Sequence, residues 1–279
     1  MSVVVITGCS SGFGMLAALE FARRGDTVYA TMRNTTKAGQ LRAGAEAAGV
    51  SVEVLELDVT DSISIDAAIK KIVKREKRID VLVNNAGIGT HGPIEDYDDQ
   101  EVLAIFETNV FGVIRVTRAM LPQMRSQGSG TIITVGSLAG RVTAPFGGIY
   151  SASKHAVEAL SDALYYELHP FGIRVVLIEP GGFETAIDIN SRPARRFTEG
   201  SAYLETERRF SAASEKLPGA GQRADAQVVA NVIVEAAKAD QPKRRYLVGK
   251  DAELIAGLQK QMSDEQFEQA MRSTLNIWD

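Results

Sequence analysis

The 279-residue sequence predicts an α/β fold, a doubly wound parallel sheet of about seven strands with helices on both faces. Short β-branched runs alternate with amphipathic stretches along nearly the whole chain, the pattern of parallel strands joined by crossover helices. The runs Val81-Leu82-Val83 and Val175-Val176-Leu177-Ile178 are apolar at successive positions, as expected of central strands covered on both faces. A glycine-rich turn stands directly after the first strand, where a Rossmann-type sheet carries its phosphate-binding loop.

Taken in order, strands are expected at residues 3–7, 27–31, 52–57, 81–84, 131–135, 174–178 and 246–248. Apolar residues at helical spacing mark helices over 12–24, 62–76, 99–125 and 151–168. Right-handed crossovers then wind the helices onto both faces of the sheet. After Pro180 a polar stretch, 184–223, carries only isolated apolar residues: Ile187, Ile189, Phe197, Tyr203, Leu204 and Phe210. It reads equally as a solvated helix pair or as a substrate lid. The tail from Asp251 to Trp278 reads as one or two helices. The chain is expected to form a single dinucleotide-binding domain over residues 1–279.

Composition narrows the function. A net charge of −4, with scattered basic residues, offers no general attraction for nucleic acid or anionic membranes. One cysteine, Cys9, excludes an internal disulfide and a multi-cysteine metal site, and with only 3 histidines no metal is expected. The N-terminal run Val3-Val4-Val5-Ile6 is too short for a signal-peptide core, and no apolar run reaches membrane-spanning length. A cytoplasmic protein is expected.

The first turn reads Thr7-Gly8-Cys9-Ser10-Ser11-Gly12-Phe13-Gly14 and runs into a helix-forming stretch. Glycines there let the backbone approach a pyrophosphate, and the free N–H groups of the helix N-terminus favour its charge. An acid at the end of the second strand would select the ribose 2′-hydroxyl of NAD. This strand ends Met32-Arg33-Asn34 instead, and Arg33 can place a planar charged fork against a 2′-phosphate. NADP(H) is therefore favoured, with NAD(H) as the alternative. Asp58 and Val59, ending the third strand, can cap the adenine edge or open the next helix. Asn85, Ala86 and Gly87, after the fourth, suit close passage of a ribose or nicotinamide, although an ordinary turn uses the same residues.

Tyr150 and Lys154 stand four apart on one helix face. Hydride transfer at a carbonyl needs a proton donor or acceptor on the oxygen, and a phenol with a pKa near 10 is a poor base at neutral pH unless a neighbouring ammonium stabilises its phenolate. Lys154 can supply that charge. Ser137, after the fifth strand, can polarise the substrate oxygen. Asn109, an indifferent helix former within 99–125, can hold a proton-relaying water or bond within its helix. The ends of successive strands thus bring Gly12, Asn85, Ser137 and Tyr150 to one edge of the expected sheet.

From Val3 to about Thr185 these residues closely resemble the short-chain dehydrogenase/reductase family: its T-G-x-x-x-G-x-G at Thr7 to Gly14, its N-N-A-G at Asn84 to Gly87, its serine at Ser137 and its Y-x-x-x-K at Tyr150 to Lys154. The resemblance implies that Tyr150 is the acid/base, that Lys154 lowers its pKa and holds the nicotinamide ribose, and that Ser137 orients substrate while Asn109 completes a proton relay. It implies that Pro180, Gly181 and Thr185, with Phe183 between them, flank the nicotinamide carboxamide. The glycine loop and residues 28–34 look similar to the hydroxysteroid and retinol dehydrogenases, which points to a lipophilic secondary alcohol or ketone. Family habit adds a homodimer or homotetramer. Val142, Phe146 and Phe183 are expected to line an apolar cleft. A dinucleotide-sensing binding protein is the rival from another class, and the intact Tyr150 and Lys154 argue against it.

Overall fold

The computed structural model describes residues 1–185, 191–215 and 223–275. Ile187, Ile189 and Trp278, and residues 186–190 and 216–222 of the stretch read as helix pair or lid, lie outside the described residues. Seven strands form one parallel sheet: β1 (Val3–Ile6), β2 (Thr27–Met32), β3 (Glu53–Glu56), β4 (Val81–Asn84), β5 (Gly130–Val135), β6 (Ile173–Pro180) and β7 (Arg245–Val248). Their order is β3-β2-β1-β4-β5-β6-β7, so the direction of winding reverses between β1 and β4. Ligands bind such sheets at the carboxyl ends of the strands flanking this reversal. β1, β4 and β5 are buried throughout, whereas both ends of edge strand β3 are exposed.

The helices are α1 (Gly12–Arg23), α2 (Gly39–Ala47), α3 (Ser62–Glu76), α4 (Asp99–Phe106), α5 (Gly112–Gln127), α6 (Gly148–Leu168), α7 (Leu204–Ser214), α8 (Gln227–Lys238), α9 (Lys250–Gln261) and α10 (Asp264–Leu275). Two cores result, one on each face of the sheet. On one face, Leu19 and Phe21 of α1 and Leu41 of α2 join Val229, Ile233 and Val234 of α8 against Val4, Ile6, Val28 and Ile178. On the other, Ile65 and Ile72 of α3, Val116 and Met120 of α5, and Leu168 of α6 cover Val5, Leu82 and Ile132.

The expected strands hold to within one or two residues, and two expectations need correction. Residues 99–125 are not one helix: α4 begins in a capping box made by Asp98 and Glu101, then passes through a π-helical turn, Glu107–Phe111, into α5. Such turns insert one residue into the helical ladder and recur at functional sites. Within 184–223 the described residues hold one helix, α7, and a two-residue strand, Arg192–Pro193, parallel to Thr90–His91. Phe183 is buried, 4% exposed, and packs edge-on against Phe13, so it belongs to the core beneath the glycine loop and walls no cleft.

Candidate active site

The glycine turn is held to β4 by short polar contacts. Thr7 Oγ1 accepts hydrogen bonds from the backbone N–H groups of Asn85 and Ala86, both at 3.0 Å. Asn85 Nδ2 donates in return to the carbonyls of Thr7 (2.9 Å) and Gly8 (3.1 Å). Only glycine permits this approach. A Cβ on Gly8 (φ +72°) would lie 2.8 Å from Ala86 Cα, and one on Gly14 would lie 2.3 Å from Asn85 Nδ2 and 2.8 Å from the Gly8 carbonyl. Ser10, Ser11 and Phe13 complete the turn and are partly exposed. Ser11 precedes α1 in an extended conformation and its side chain makes no capping bond; the first turn of α1 carries no acid. The positive end of α1 therefore meets no counter-charge from its own residues, the condition under which a helix N-terminus takes an anion.

Arg33 is exposed at the end of β2 and makes no ion pair among the described residues. Asp58 accepts from the N–H (2.9 Å) and hydroxyl (2.8 Å) of Thr60, while Asp61 caps α3. Val59 is 8% exposed and abuts Gly112 closely. Gly181 donates its N–H to the Val248 carbonyl, and Thr185 sits beside Gly12. The residues read from the sequence on strands β1, β4 and β6 thus share the carboxyl edge of the sheet. A pyrophosphate fits the narrow glycine turn and its uncapped helix end, and a dinucleotide is the ligand whose remaining length the Arg33 and Asn85-to-Thr185 positions could follow.

Tyr150 and Lys154 occupy the first two turns of α6. Lys154 is 6% exposed, its Nζ donates to the Val135 carbonyl at 3.0 Å and stands 5.7 Å from the centre of the Tyr150 ring. Burial pulls its pKa down to about 8, against a smaller upward pull from Glu158. Ser137 Oγ accepts from the Ala139 N–H at 3.1 Å, which leaves its hydroxyl hydrogen available to another acceptor.

Asn109, in the π-helical turn, bonds outside its helix. Its Oδ1 accepts from the Ile88 N–H (2.9 Å), and its Nδ2 donates to the Ile88 carbonyl (3.0 Å) and to Ser153 Oγ (3.1 Å). Ser153 Oγ in turn donates to the Tyr150 carbonyl at 2.7 Å. Thr7 and Ser153 are the two residues that sequence reading passed over. Thr7 heads the glycine motif, and Ser153 lies three positions after Tyr150 on the same helix, so spacing alone could have marked both.

Comparison with known proteins identifies the family. Residues 2–196 match the family profile described as short chain dehydrogenase. A 3-ketodihydrosphingosine reductase of Bacteroides thetaiotaomicron is 38% identical over 205 residues, 73% of this chain and 72% of that protein. A human 17-beta-hydroxysteroid dehydrogenase type 1 is 42% identical over 191 residues, 66% of this chain and 58% of that one. A short-chain dehydrogenase from Streptomyces avermitilis superposes with a TM-score of 0.79 at 34% identity, covering 98% of both chains. Two more solved structures, each 26% identical, differ in cofactor: one from Burkholderia phymatum in complex with NAD (TM-score 0.78, 93% of both chains) and a metagenomic oxidoreductase in complex with NADP (TM-score 0.70, 88% of this chain and 96% of that one).

Proposed function

This chain belongs to the short-chain dehydrogenase family, oxidoreductases acting on hydroxyl and keto groups, and from that premise we propose that it moves a hydride between NADP(H) and a lipophilic secondary alcohol or ketone, hydroxysteroids included. The observation that carries the reading is the buried Lys154 ammonium beside the Tyr150 ring. Tyr150 gives its phenolic proton to the substrate oxygen in reduction and takes it back in oxidation. With a pKa of about 8, Lys154 is mostly charged at pH 7 and favours the phenolate. One Nζ hydrogen is committed to Val135, and the other two serve the ribose and the tyrosine side. Ser137 donates to the substrate oxygen. Asn109 fixes the Ile88 backbone and, through Ser153, the first turn of α6; a relay water would use the remaining lone pair of its oxygen.

When bound, the nicotinamide supplies or accepts the hydride. Gly8, Ser10, Ser11, Gly12, Phe13 and Gly14 would hold the pyrophosphate, Arg33 the 2′-phosphate, and Asp58 and Val59 the adenine edge. Asn85, Ala86, Gly87, Tyr150 and Lys154 would hold the ribose, with Pro180, Gly181, Thr185 and the backbone of Phe183 around the carboxamide. The segment described at 191–215 acts as the substrate cover: His91, Phe146, Phe197 and Phe210 join across it with ring centres 5.8 to 6.3 Å apart. That aromatic cluster supports a lipophilic substrate. No helix among the described residues is long and apolar enough to cross a membrane. A homodimer or homotetramer remains the proposed assembly.

Titrating wild type and Arg33→Ala with NADPH and NADH tests the cofactor reading. Wild type should prefer NADPH by about tenfold or more, roughly 1.4 kcal/mol, and Arg33→Ala should lose that preference. NADH binding as well as NADPH to wild type would overturn it. Estradiol oxidation and reduction of its ketone should then disappear in Tyr150→Phe while cofactor affinity stays.

A further inference from the structure

One turn further along α6 from Lys154, charged groups from four elements meet in a partly buried cluster. Glu179, fully buried next to the end of β6, accepts both arms of Arg141: Nε at 2.6 Å and Nη2 at 3.0 Å. Arg245 of β7 donates to Glu158 Oε2 at 3.1 Å, stands 3.7 Å from Glu179 and pairs with Asp162 at 2.7 Å; Asp162 also pairs with Arg244. Glu158 and Asp162 continue the face of α6 that carries Lys154. Glu158 Oε1 is buried and accepts no hydrogen bond. Burial first, then the hydrogen bond and repulsion from Glu179, push the Glu158 pKa up to about 8, well above the usual carboxylate range.

A fully buried carboxylate is a poor way to gain stability, because desolvation offsets most of what its arginines return. The location of the ends of this pair says more. Arg141 closes the turn that Ser137 begins: Gly140 N–H donates to the Ser137 carbonyl and Arg141 N–H to the Leu138 carbonyl, both at 2.9 Å. The turn rests directly on α6, since a Cβ on Gly140 would lie 3.0 Å from the Lys154 carbonyl and 3.1 Å from Glu158 Cγ. Glu179 itself leads into Pro180 and Gly181. Gln259 of α9 holds the Arg141 carbonyl at 2.9 Å.

We propose that Glu179 is a positioning residue that locks three parts of the site into one body: the Ser137 turn through Arg141, the α6 face that carries Lys154 through Arg245 and its bond to Glu158, and the Pro180-Gly181 strand end through the backbone. This rests on the roles given to Ser137, Tyr150 and Lys154 above. A bidentate arginine fork fixes orientation as well as distance, which a lysine or a neutral pair cannot do. Loss of the lock should therefore lower turnover more than binding.

Glu179→Gln alone would leave the half-buried Arg141 without its carboxylate, so the test uses the double variant E179Q/R141M, which leaves no new unpaired charge, and R141K, which keeps the charge without the fork. With estradiol and NADP, E179Q/R141M should lose kcat on the order of 100-fold, the cost of misplacing a reacting group by about 1 Å. KM and NADPH affinity should stay within about threefold, and R141K should fall between. Independently of any substrate, the amides of Gly140 and Arg141 should exchange about tenfold faster in R141K while those of α1 are unchanged. A folded double variant with wild-type kcat, or one raised in KM alone, overturns the proposal, and so does unchanged exchange in R141K. Tyr150→Phe separates the causes. If it keeps wild-type turnover, the reading of the site fails and the positioning role with it; if it is inactive and E179Q/R141M is not, only the positioning role fails.

Discussion

At the glycine-loop edge, Thr7, Gly8 and Gly14 meet Asn85 and Ala86 at backbone distance, whereas the 191–215 segment pairs by backbone with residues 90–101 only where Arg192–Ala194 meets Thr90–His91 and otherwise reaches them through long side chains. Arg195 pairs with Asp98 at 3.1 Å and approaches Glu101 at 3.8 Å; Tyr203 and Ser201 donate to Glu95 and Asp96 at 2.5 and 2.6 Å; Arg196 donates to the carbonyls of Glu95 and Tyr97. The first region depends on shape at sub-ångström tolerance. The second depends on charge and on side chains that can re-form their contacts elsewhere. Substitution should therefore break the first and only loosen the second.

Gly14→Ala gives the largest contrast. Exchange of a helical glycine for alanine ordinarily stabilises by about 1 kcal/mol. Here the added Cβ would meet Asn85 Nδ2 and the Gly8 carbonyl, and Asn85 cannot yield without releasing the carbonyls of Thr7 and Gly8. Overpacking of this kind costs about 1–3 kcal/mol, and a net loss near 2 kcal/mol should lower Tm by roughly 4–8 °C. NADPH affinity should fall at least tenfold. Gly257, in α9, meets nothing within 4 Å, and Gly257→Ala should raise Tm by roughly 1–3 °C. Calorimetry showing the same sign for both variants would break the contrast.

Thr7→Val follows in size. The side chains are nearly isosteric, but the backbone N–H groups of Asn85 and Ala86 lose their acceptor. Leaving a buried donor unpaired costs about 1–3 kcal/mol. The urea midpoint should drop by that equivalent with an unchanged m-value, since the surface exposed on unfolding is the same. A wild-type midpoint would mean that water replaces the hydroxyl, and that the turn is held by its glycines alone.

The same contrast explains what the sequence could tell. Strands β1, β4, β5 and β6 are buried on both faces, so their apolar runs stand out, and the glycine turn, Asn85, Ser137, Tyr150 and Lys154 sit within short local patterns. The π-helical turn at Asn109 was invisible because apolar residues continue through it at helical spacing. Helix α2 was missed because Leu41 and Ala45 are its only buried side chains, too few for a periodic stripe. Helix α8 was missed although Val229, Ala230, Ile233 and Val234 form one, an oversight and not an absence of signal. Glu158 and Glu179, Arg141 and Arg245 come together from distant positions, and charge at those positions looks like any solvated surface until the fold buries it. Phe183 was misplaced for the reverse reason: an aromatic residue in a polar stretch suggests a cleft wall until its packing on Phe13 is seen.

The smallest effect belongs to the charged contacts of the 191–215 segment. The Arg195 side chain is 66% exposed, and an exposed pair of this kind contributes about 0–1 kcal/mol. Arg195→Ala should shift Tm by less than about 2 °C. Its backbone N–H still donates to Glu101 at 2.9 Å, and the Arg192–Pro193 pairing and the Arg196, Ser201 and Tyr203 bonds remain, so the segment stays anchored. Limited proteolysis is the more sensitive measurement, because it reads local opening while the sheet stays folded. Cleavage within 191–215 should quicken a few-fold in Arg195→Ala. In wild type, raising salt to about 1 M should have a similar effect, since the screening length falls to roughly 3 Å. The aromatic contacts among His91, Phe146, Phe197 and Phe210 are insensitive to screening and set the limit of that effect. If neither salt nor Arg195→Ala changes the cleavage rate, those rings and the Arg192–Pro193 backbone pairing hold the cover, and both regions are fixed by shape.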